Sequence, residues 1–418
     1  MKEKNGIYDW SKHIEVVKSE NGKPDQTSRV EIDDETLRDG LQGTQIEQHP
    51  STEEKKIYLE WASRFVEHAD IGFPGSEEEH QQEILELIKH SIARRLEITL
   101  SCAARGAASE DVKPIVDISE ALGGYPLEAD LFLDGSKYRA QKEGWERKER
   151  LAQLAQNIKL LNEHSLPVMF VAERATSTPP EELFETCQIA ADLGVERMCF
   201  ADTQGKASYQ AVTNMFQWGY KEIGSRYPNL KWDFHGHNDL GLGVVNCLAA
   251  SQEGVDRVHA TSFGIGERSG NVDLATTLTV LNLKGFRQTD LTKLKDFSRI
   301  ASEILHFPIP RNAPVIGESA HATSSGVHSA PLDKAEDKFS DIYFAYDPGI
   351  VGGEPKVEVG RFSGAATVRY KLKALSIPFN EEMVMEILDV AKKGRGFLSE
   401  TTIRGIAQRH LNHISEKK

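Results

Sequence analysis

The amino-acid sequence predicts a (β/α)₈ TIM barrel followed by a smaller, mainly helical C-terminal region. Short apolar runs alternate with amphipathic stretches from about residue 28 to residue 284, and regular alternation of this kind predicts a parallel sheet. Eight such runs can be counted, and eight strand–helix units in about 250 residues have the size of a closed barrel. A doubly wound open sheet is the alternative fold.

The strand candidates are apolar runs that end in polar or turn-forming residues. In chain order they are RVEIDDETL, HADIGFPG, LEITLSCAA, EADLFLDG, LPVMFVAE, ERMCFADT, LKWDFHGH and DRVHATSFG. Two of the helices between them have start signals. Ser51 and Glu54 have the spacing of a capping box, in which both side chains satisfy free backbone N–H groups of the first turn. Thr178 and Glu181 repeat this spacing, with Pro179 at the first helical position.

The pattern changes after residue 284. Residues 291–305 predict a helix, residues 308–335 predict a long irregular connection rich in Pro, Ser, Ala and His, and residues 379–394 and 399–413 predict two more helices. The predicted organisation is an N-terminal extension (1–27), a barrel catalytic domain (28–284), a linker or lid region (285–335) and a C-terminal subdomain (336–418).

Composition is that of a soluble globular protein. Of 418 residues, 39% are hydrophobic and 27% charged, which suits one large domain and a smaller one. The net charge of −14 gives no global basic field, so neither nucleic acid nor membrane is an expected partner. No apolar run approaches the ~20 residues that span a bilayer. The four cysteines lack CxxC spacing, and the N-terminus lacks the apolar core of a signal peptide, which together indicate a cytoplasmic protein.

Polar residues occur where several predicted strands end, which is where a barrel of this type places its active site. Strand 1 ends near Arg38 and Asp39, and strand 7 ends in His235-Gly-His237. Side chains two apart on a strand point the same way, so both imidazoles would enter the barrel mouth. Strand 8 runs into GIGERSGN, where Asn271 offers an amide oxygen.

Each of these segments also has a purely structural explanation: a surface salt bridge, a hydrogen-bonded histidine pair, and a turn before a helix. Together the three segments favour a functional site, because strands 1, 7 and 8 are neighbours in a closed barrel and would bring these residues close together. Two imidazole nitrogens and two oxygens leave coordination positions open. Such a set favours a catalytic divalent metal over a closed structural site.

The segments ETLRDG, HGHND and GIGERSGN, in this order, resemble the metal-dependent barrel enzymes that include 2-isopropylmalate synthase, homocitrate synthase, citramalate synthase and hydroxymethylglutaryl-CoA lyase. The resemblance implies that a divalent metal (Mg, Mn or Zn) is bound by Asp39, His235, His237 and Asn271. It also implies acetyl-CoA as cosubstrate and a 2-oxo acid as substrate.

The resemblance assigns roles to further residues. Arg38 matches the arginine that stabilises the negative oxygen of an enolate or of the ketone under attack. Glu173 matches a strand 5 acid near the reacting groups, and Thr203 matches a threonine that contacts the carboxylate of the substrate acid. Arg38, Gln42 and Thr203 are the substrate-binding candidates. The loop associated with acyl-CoA binding corresponds to Gly264, Gly266, Glu267 and Gly270.

The implied reaction is a Claisen-type condensation of acetyl-CoA with a 2-oxo acid, followed by thioester hydrolysis. An activity like that of 2-isopropylmalate synthase comes first, with homocitrate and citramalate synthase next. One alternative is an acyl-CoA or aldol lyase on the same scaffold, but the lyases carry a cysteine in the glycine-rich loop and GIGERSGN has none. The other is a non-catalytic metal- or ligand-binding barrel, for which an arginine and an acid beside four ligands are superfluous.

The segment from Ser325 to His328 resembles a lid segment of the synthases, in which the histidine assists catalysis in the site of the partner subunit. This implies a homodimer with shared active sites, in which His328 is a general acid or base, and Tyr343 matches a tyrosine of the same region. Three positions depart from the synthase pattern, and they leave the acceptor acid open: Leu41, Ser177 and Thr323.

Overall fold

The computed structural model describes residues 29–325 and 343–416. Eight parallel strands close into a barrel in sequence order, with β1 paired to β8. The predicted (β/α)₈ fold is therefore confirmed. Each strand overlaps the run that predicts it, and the third strand extends one residue past its run, to Arg105. The strands are β1 (Glu31–Asp34), β2 (His68–Asp70), β3 (Thr99–Arg105), β4 (Glu128–Leu133), β5 (Val168–Ala172), β6 (Arg197–Asp202), β7 (Lys231–Gly236) and β8 (Arg257–Ala260).

Helices follow the strands along the chain. In order they are α1 (Thr52–Ala62), α2 (Glu78–Arg94), α3 (Ser109–Ala121), α4 (Lys137–Glu143), α5 (Arg147–Glu163), α6 (Pro180–Asp192), α7 (Tyr209–Gly219), α8 (Gly243–Glu253), α9 (Leu274–Leu283), α10 (Leu294–Ile304), α11 (Ala365–Ala374), α12 (Glu381–Lys393) and α13 (Glu400–Glu416). Within the described residues, no helix combines the length and the apolar character needed to cross a bilayer.

The two predicted helix starts have different outcomes. At α1 the capping box forms, since the Ser51 hydroxyl accepts from the Glu54 amide and the Ser51 amide donates to the Glu54 carboxylate. At α6 it does not. The helix begins at Pro180, and the Thr178 hydroxyl donates to the carbonyl of Arg174 in the preceding turn. The second proline displaces the start by one residue, because a proline fits the first helical position.

Strand β7 shows how the sequence divides between the two faces of the barrel wall. Trp232 and Phe234 contact the ring of Phe216 on α7, outside the barrel. Asp233 points the opposite way and contacts arginines of neighbouring strands. Because side chains alternate along a strand, His235 enters the barrel on the same side as Asp233.

An ion network fills the barrel interior near Asp233. This fully buried carboxylate accepts from Arg197 Nη2 at 2.8 Å and from Arg257 Nε at 2.6 Å, and Arg257 Nη2 also donates to Glu128 at 2.7 Å. Barrels of this type are more often filled by layers of branched apolar side chains. Removal of one partner here would leave a buried unpaired charge, which is strongly destabilising.

The described residues fall into two compact units. The first holds the barrel, reaches Asp290 and includes Phe297–Pro308; the second comprises Leu291–Asp296 and the residues from Ile309 onward. The predicted N-terminal extension at residues 1–27 lies outside the described part of the chain, and the predicted domain boundaries stay predictions.

The second unit is mainly helical, as expected. Helices α12 and α13 confirm the helices predicted at residues 379–394 and 399–413. Helix α11 was not predicted. It begins after Gly364 and packs Val368 and Leu372 into an apolar core shared with α12 and α13. Strands β9 (Ala322–Thr323) and β10 (Lys356–Val357) form a small parallel pair in the same unit.

Candidate active site

The two histidines at the end of β7 converge on one point. His235 belongs to β7 and His237 follows it directly, and both are buried. Their Nε2 atoms are 3.3 Å apart, and the two rings meet edge to face. Gly236 between them places no side chain in the way, as the sequence pattern predicts.

Asp39 and Asn271 lie beside this pair. Asp39 Oδ2 is 3.7 Å from His235 Nε2 and 3.8 Å from His237 Nε2. The backbone of Asn271 forms a bridge with His237, and its buried Oδ1 has no hydrogen-bond partner among the described residues. Atoms that share one ion at about 2.0–2.2 Å are roughly 3–4 Å apart. The spacing of the three side-chain atoms and the free amide oxygen therefore fit a divalent cation.

Electrostatics keep His237 in the form that binds metal. Burial and the neighbouring His235 lower the pKa of His237 to about 4, although Asp39 acts in the opposite direction. The imidazole is therefore neutral at neutral pH, and neutral imidazole is the metal-ligating form.

Glu35, just beyond the end of β1, connects several groups of the site. Its Oε2 is 2.8 Å from His235 Nδ1, and its Oε1 accepts from Arg38 Nη2 at 2.8 Å and lies 2.9 Å from His259 Nδ1. Burial alone would raise the pKa of this carboxyl, but Arg38, His235 and His259 hold it well below its ordinary value. Glu35 is thus a buried carboxylate in close contact with two histidines and an arginine.

Arg38 is held in place by carboxylates from two strands. Its Nε donates to Asp70 at the end of β2 at 2.6 Å, and its Nη1 is 3.6 Å from Asp39. Burial would lower the pKa of Arg38, but Glu35, Asp70 and Asp39 raise it well above the ordinary value. The guanidinium therefore stays charged, with a fixed orientation at the barrel mouth.

Three further predicted residues line the same cavity of about 190 Å³ as Arg38 and the histidines: Gln42, Glu173 and Thr203. Burial and the nearby Asp134 raise the pKa of Glu173, while Arg139 opposes this effect. The Thr203 hydroxyl accepts from the Arg174 amide at 2.9 Å. A carboxyl with a raised pKa, a hydroxyl and a guanidinium therefore line one cavity together with Asp39, His235 and His237.

The glycine-rich loop after β8 has a backbone that requires glycine. Gly266 and Gly270 have φ angles of 145° and 90°, and a Cβ at Gly270 would lie 1.8 Å from the carbonyl oxygen of Gly264. The amides of Gly264, Gly266 and Gly270 donate within the protein, to Thr261, Gln45 and Glu267. These three amides are therefore already used within the protein. Acyl-CoA binding at this loop stays a prediction, and Glu267 is exposed.

The roles predicted for Tyr343 and His328 stay predictions. Tyr343 lies in the second unit, with its ring 5.3 Å from that of Phe344, and His328 lies outside the described residues. Of the positions that depart from the synthase pattern, Leu41 is buried and the Ser177 hydroxyl donates to Gln204 at 3.1 Å. Thr323 is buried in β9.

Sequence reasoning did not predict the residues that contact Arg38 and His235 from behind, above all Glu35, Asp70 and His259. It considered only the last positions of each strand, although Asp233-x-His235-x-His237 and Arg257-x-His259 show charged or titratable residues at every second position. A two-residue period marks one face of a strand. Polar residues on the inner face of adjoining strands are the signal that could have revealed the interior network.

The class that this fold and site define is a closed (β/α)₈ barrel that gathers imidazoles, carboxylates and an arginine at the carboxyl ends of its strands. Residues 29–304 match the HMGL-like family, and the chain belongs to that family. The predicted resemblance is therefore confirmed.

Individual relatives agree with this assignment. A 2-isopropylmalate synthase of Methanocaldococcus jannaschii is 27% identical over 419 residues, which cover 96% of this chain and 76% of the relative. A homocitrate synthase of Pyrococcus horikoshii is 33% identical over 252 residues, or 59% of this chain and 66% of the relative. Among solved structures, the HMG-CoA lyase of Bacillus subtilis matches with a TM-score of 0.55 at 20% identity, over 68% of this chain and 96% of that chain. At this identity the structural likeness concerns the fold.

Proposed function

We propose that the protein condenses acetyl-CoA with a 2-oxo acid on a divalent metal and then hydrolyses the thioester. The observation that carries this proposal is the convergence of Asp39, His235 and His237 in the cavity that Arg38 also lines. An ion on this cluster, with Asn271 as fourth ligand, would polarise the carbonyl of the 2-oxo acid as a Lewis acid. The names of the curated relatives, 2-isopropylmalate and homocitrate synthase, support the same reaction class.

The residues of the chain have complementary tasks in this proposal. Arg38, fixed by Glu35 and Asp70, presents a permanent positive charge where an oxyanion develops, and such preorganised charge lowers the barrier without reorganisation. Thr203 would bind the carboxylate of the acceptor. Glu173, whose pKa is raised, and His328 are the candidates for moving protons.

The lyase alternative has one specific observation against it. The resembling lyases use a thiol in the glycine-rich loop, whereas all four cysteines of this chain are buried elsewhere. Burial raises the pKa of Cys102 and Cys199 well above the ordinary value. No cysteine is therefore available at the loop to serve the lyase reaction.

The assembly belongs to the proposal as well. His328 and Tyr343 would act on the barrel of a partner subunit in a homodimer, and the protein would work in the cytoplasm. The basis is the resemblance of the segment around His328 to the synthase lid.

The experiment is a thiol-release assay with acetyl-CoA and a panel of 2-oxo acids, in the presence of Mg²⁺, Mn²⁺ or Zn²⁺. We expect thiol release that requires both a 2-oxo acid and the metal ion, with mass spectrometry detecting a hydroxy acid that has gained the acetyl carbons and one carboxylate. Thiol release without any 2-oxo acid would indicate a thioesterase. Cleavage of hydroxymethylglutaryl-CoA without condensation activity would establish the lyase instead.

A further inference from the structure

The cavity at the barrel mouth has two chemically different halves. One half carries Arg38, Asp39, His235 and His237 on or just after β1 and β7. The other half is formed by β3, β4 and β5, with these lining residues: Ala103, Asp130, Phe132, Met169, Val171 and Glu173. In a closed eight-stranded barrel in sequence order, β3 to β5 lie opposite β7, β8 and β1. An acceptor held by its carboxylate and keto oxygen at the histidines therefore directs its remaining substituent toward β3 to β5.

The β3–β5 half is apolar or acidic. Ala103, Phe132, Met169 and Val171 supply carbon surface, and no lysine, arginine or histidine of the described residues lies among the side chains that line this half. Burial and the neighbouring Glu128 raise the pKa of Asp130 well above its ordinary value. A carboxyl supplies no positive charge, whether or not it carries a proton.

Two nearby arginines, Arg139 and Arg174, are already engaged by carboxylates. Arg139 pairs with Glu143 and lies 3.8 Å from Glu173, and it does not line this cavity. Arg174 donates to Asp134 at 2.8 Å and lies over the ring of Tyr138. A second carboxylate on the acceptor would therefore enter a half that no described cationic side chain lines, with Arg139 and Arg174 already paired.

We propose that the acceptor is a 2-oxo monocarboxylic acid with a small, neutral, apolar substituent, and that the β3–β5 half rejects acceptors with a second carboxylate. An unpaired charge is costly to bury, whereas a carbon substituent gains from the same contacts. This inference rests on the proposed function and decides among the synthase activities, since it selects against a dicarboxylic acceptor such as 2-oxoglutarate.

The first test compares acceptors directly. Thiol release would be measured with pyruvate, 2-oxobutyrate and 2-oxoisovalerate against 2-oxoglutarate and oxaloacetate, each with acetyl-CoA and the same metal ion. We expect kcat/KM for the best monocarboxylate to exceed that of either dicarboxylate by about 10²-fold or more. Effects of this size or larger are seen when binding a substrate leaves a buried polar group unpaired. A dicarboxylate within tenfold of the best monocarboxylate, or better, overturns the inference.

A pair of matched variants tests whether the β3–β5 half makes the choice. Val171 lines the cavity, whereas Val168 lies on the same strand, is buried and does not line it. Val171→Ala should raise kcat/KM for 2-oxoisovalerate relative to pyruvate by about tenfold, because removing two methyl groups makes room for the larger substituent and small changes in such a pocket have effects of this order. Val168→Ala should leave the ratio unchanged. Equal ratios in both variants and the wild type would show that the substituent binds elsewhere.

Failure of the inference and failure of the proposed function give different results. A preference for 2-oxoglutarate with metal-dependent thiol release would keep the condensation and remove the acceptor assignment. Absence of thiol release with every 2-oxo acid would remove the condensation itself. In that event, acceptor binding can be measured alone by calorimetric titration of the metal-loaded protein with 2-oxobutyrate and with 2-oxoglutarate, without acetyl-CoA. Tighter binding of 2-oxoglutarate would contradict the acceptor assignment even if the protein catalyses no condensation.

Discussion

Glu35 Oε2 lies 2.8 Å from Nδ1 of His235, the ring nitrogen that faces away from Asp39 and His237. The other oxygen of the same carboxylate accepts from Arg38 at 2.8 Å. One buried side chain therefore orients both a candidate metal ligand and the candidate oxyanion-binding arginine. Carboxylates behind ligating histidines fix the tautomer and the ring orientation.

Glu35→Gln should weaken metal binding by about 10–100-fold, the usual effect of losing a partner behind a ligand. Affinity would be measured by competition with a chromogenic chelator. Glu31→Gln is the matched control, because Glu31 lies on β1, four residues before Glu35, and pairs with His68 and Arg197 away from the site. Equal affinities in Glu35→Gln and the wild type would show that this contact does not position a ligand.

Loss of a predicted ligand should remove the metal. His237→Ala and Asp39→Asn should each lower bound metal, measured by elemental analysis, and abolish thiol release, because a site with few protein ligands loses one of them. His164→Ala, whose ring pairs with Glu120, is the control and should retain both properties. Full activity in the presence of a chelator that removes all bound metal would refute the site.

Arg38→Lys should keep the charge and lose the fixed fork that Asp70 and Glu35 orient. We expect kcat to fall by more than ~10²-fold, as on losing one preorganised donor at a developing oxyanion. Steady-state kinetics with the best acceptor are the measurement. An unchanged kcat with a raised KM would assign Arg38 to ground-state binding instead.

His259 should make stability depend on pH. Burial would lower its pKa, but Glu35 and Asp233 raise it from 6.5 to about 9. A raised pKa means that the native state holds the proton more tightly than the unfolded chain. The stabilisation is therefore complete below about pH 6.5 and is lost as the pH rises through about 9, and it amounts to about 3 kcal/mol.

The measurement is urea unfolding of the metal-free protein and of His259→Gln at several pH values from 6 to 9.5. The free energy of unfolding of the wild type should decrease relative to that of the variant across this range. Two curves that stay parallel would mean that the His259 proton is bound equally in both states.

His328→Ala and Arg38→Ala test the proposed assembly. Each variant should be nearly inactive alone, because one lacks the lid histidine and the other the barrel arginine. After subunit exchange in a mixture, activity should return, since one site of each heterodimer combines an intact barrel with an intact lid. Exchanged dimers that stay inactive would mean that His328 serves its own barrel or does not act, and a fully active monomer would exclude shared sites.

Local patterns were sufficient for the barrel and for part of the site. The strand runs, their number and their alternation with helices are periodic signals, and each of the eight strands lies where its run predicts it. The histidine pair could also be placed, because two residues on one side of a strand end share a direction whatever surrounds them. Helix α11 was missed, because it is short and its packing on α12 and α13, more than its own pattern, makes it a helix.

Only the tertiary structure reveals which residues contact His235 and Arg38 from the barrel interior and which residues line the opposite side of the cavity. Glu35 and His259 are 224 residues apart in sequence, and Asp70 reaches Arg38 from a different strand; no spacing rule joins them, because closure of the barrel brings β1, β2 and β8 together. The division of the mouth into a polar half and an apolar or acidic half has the same origin. The sequence determines which acids, imidazoles and guanidinium groups are present. Closure of the barrel determines which of them share its interior. The dielectric constant there is low, so a buried charge is stable only beside an opposite charge or a hydrogen-bond partner.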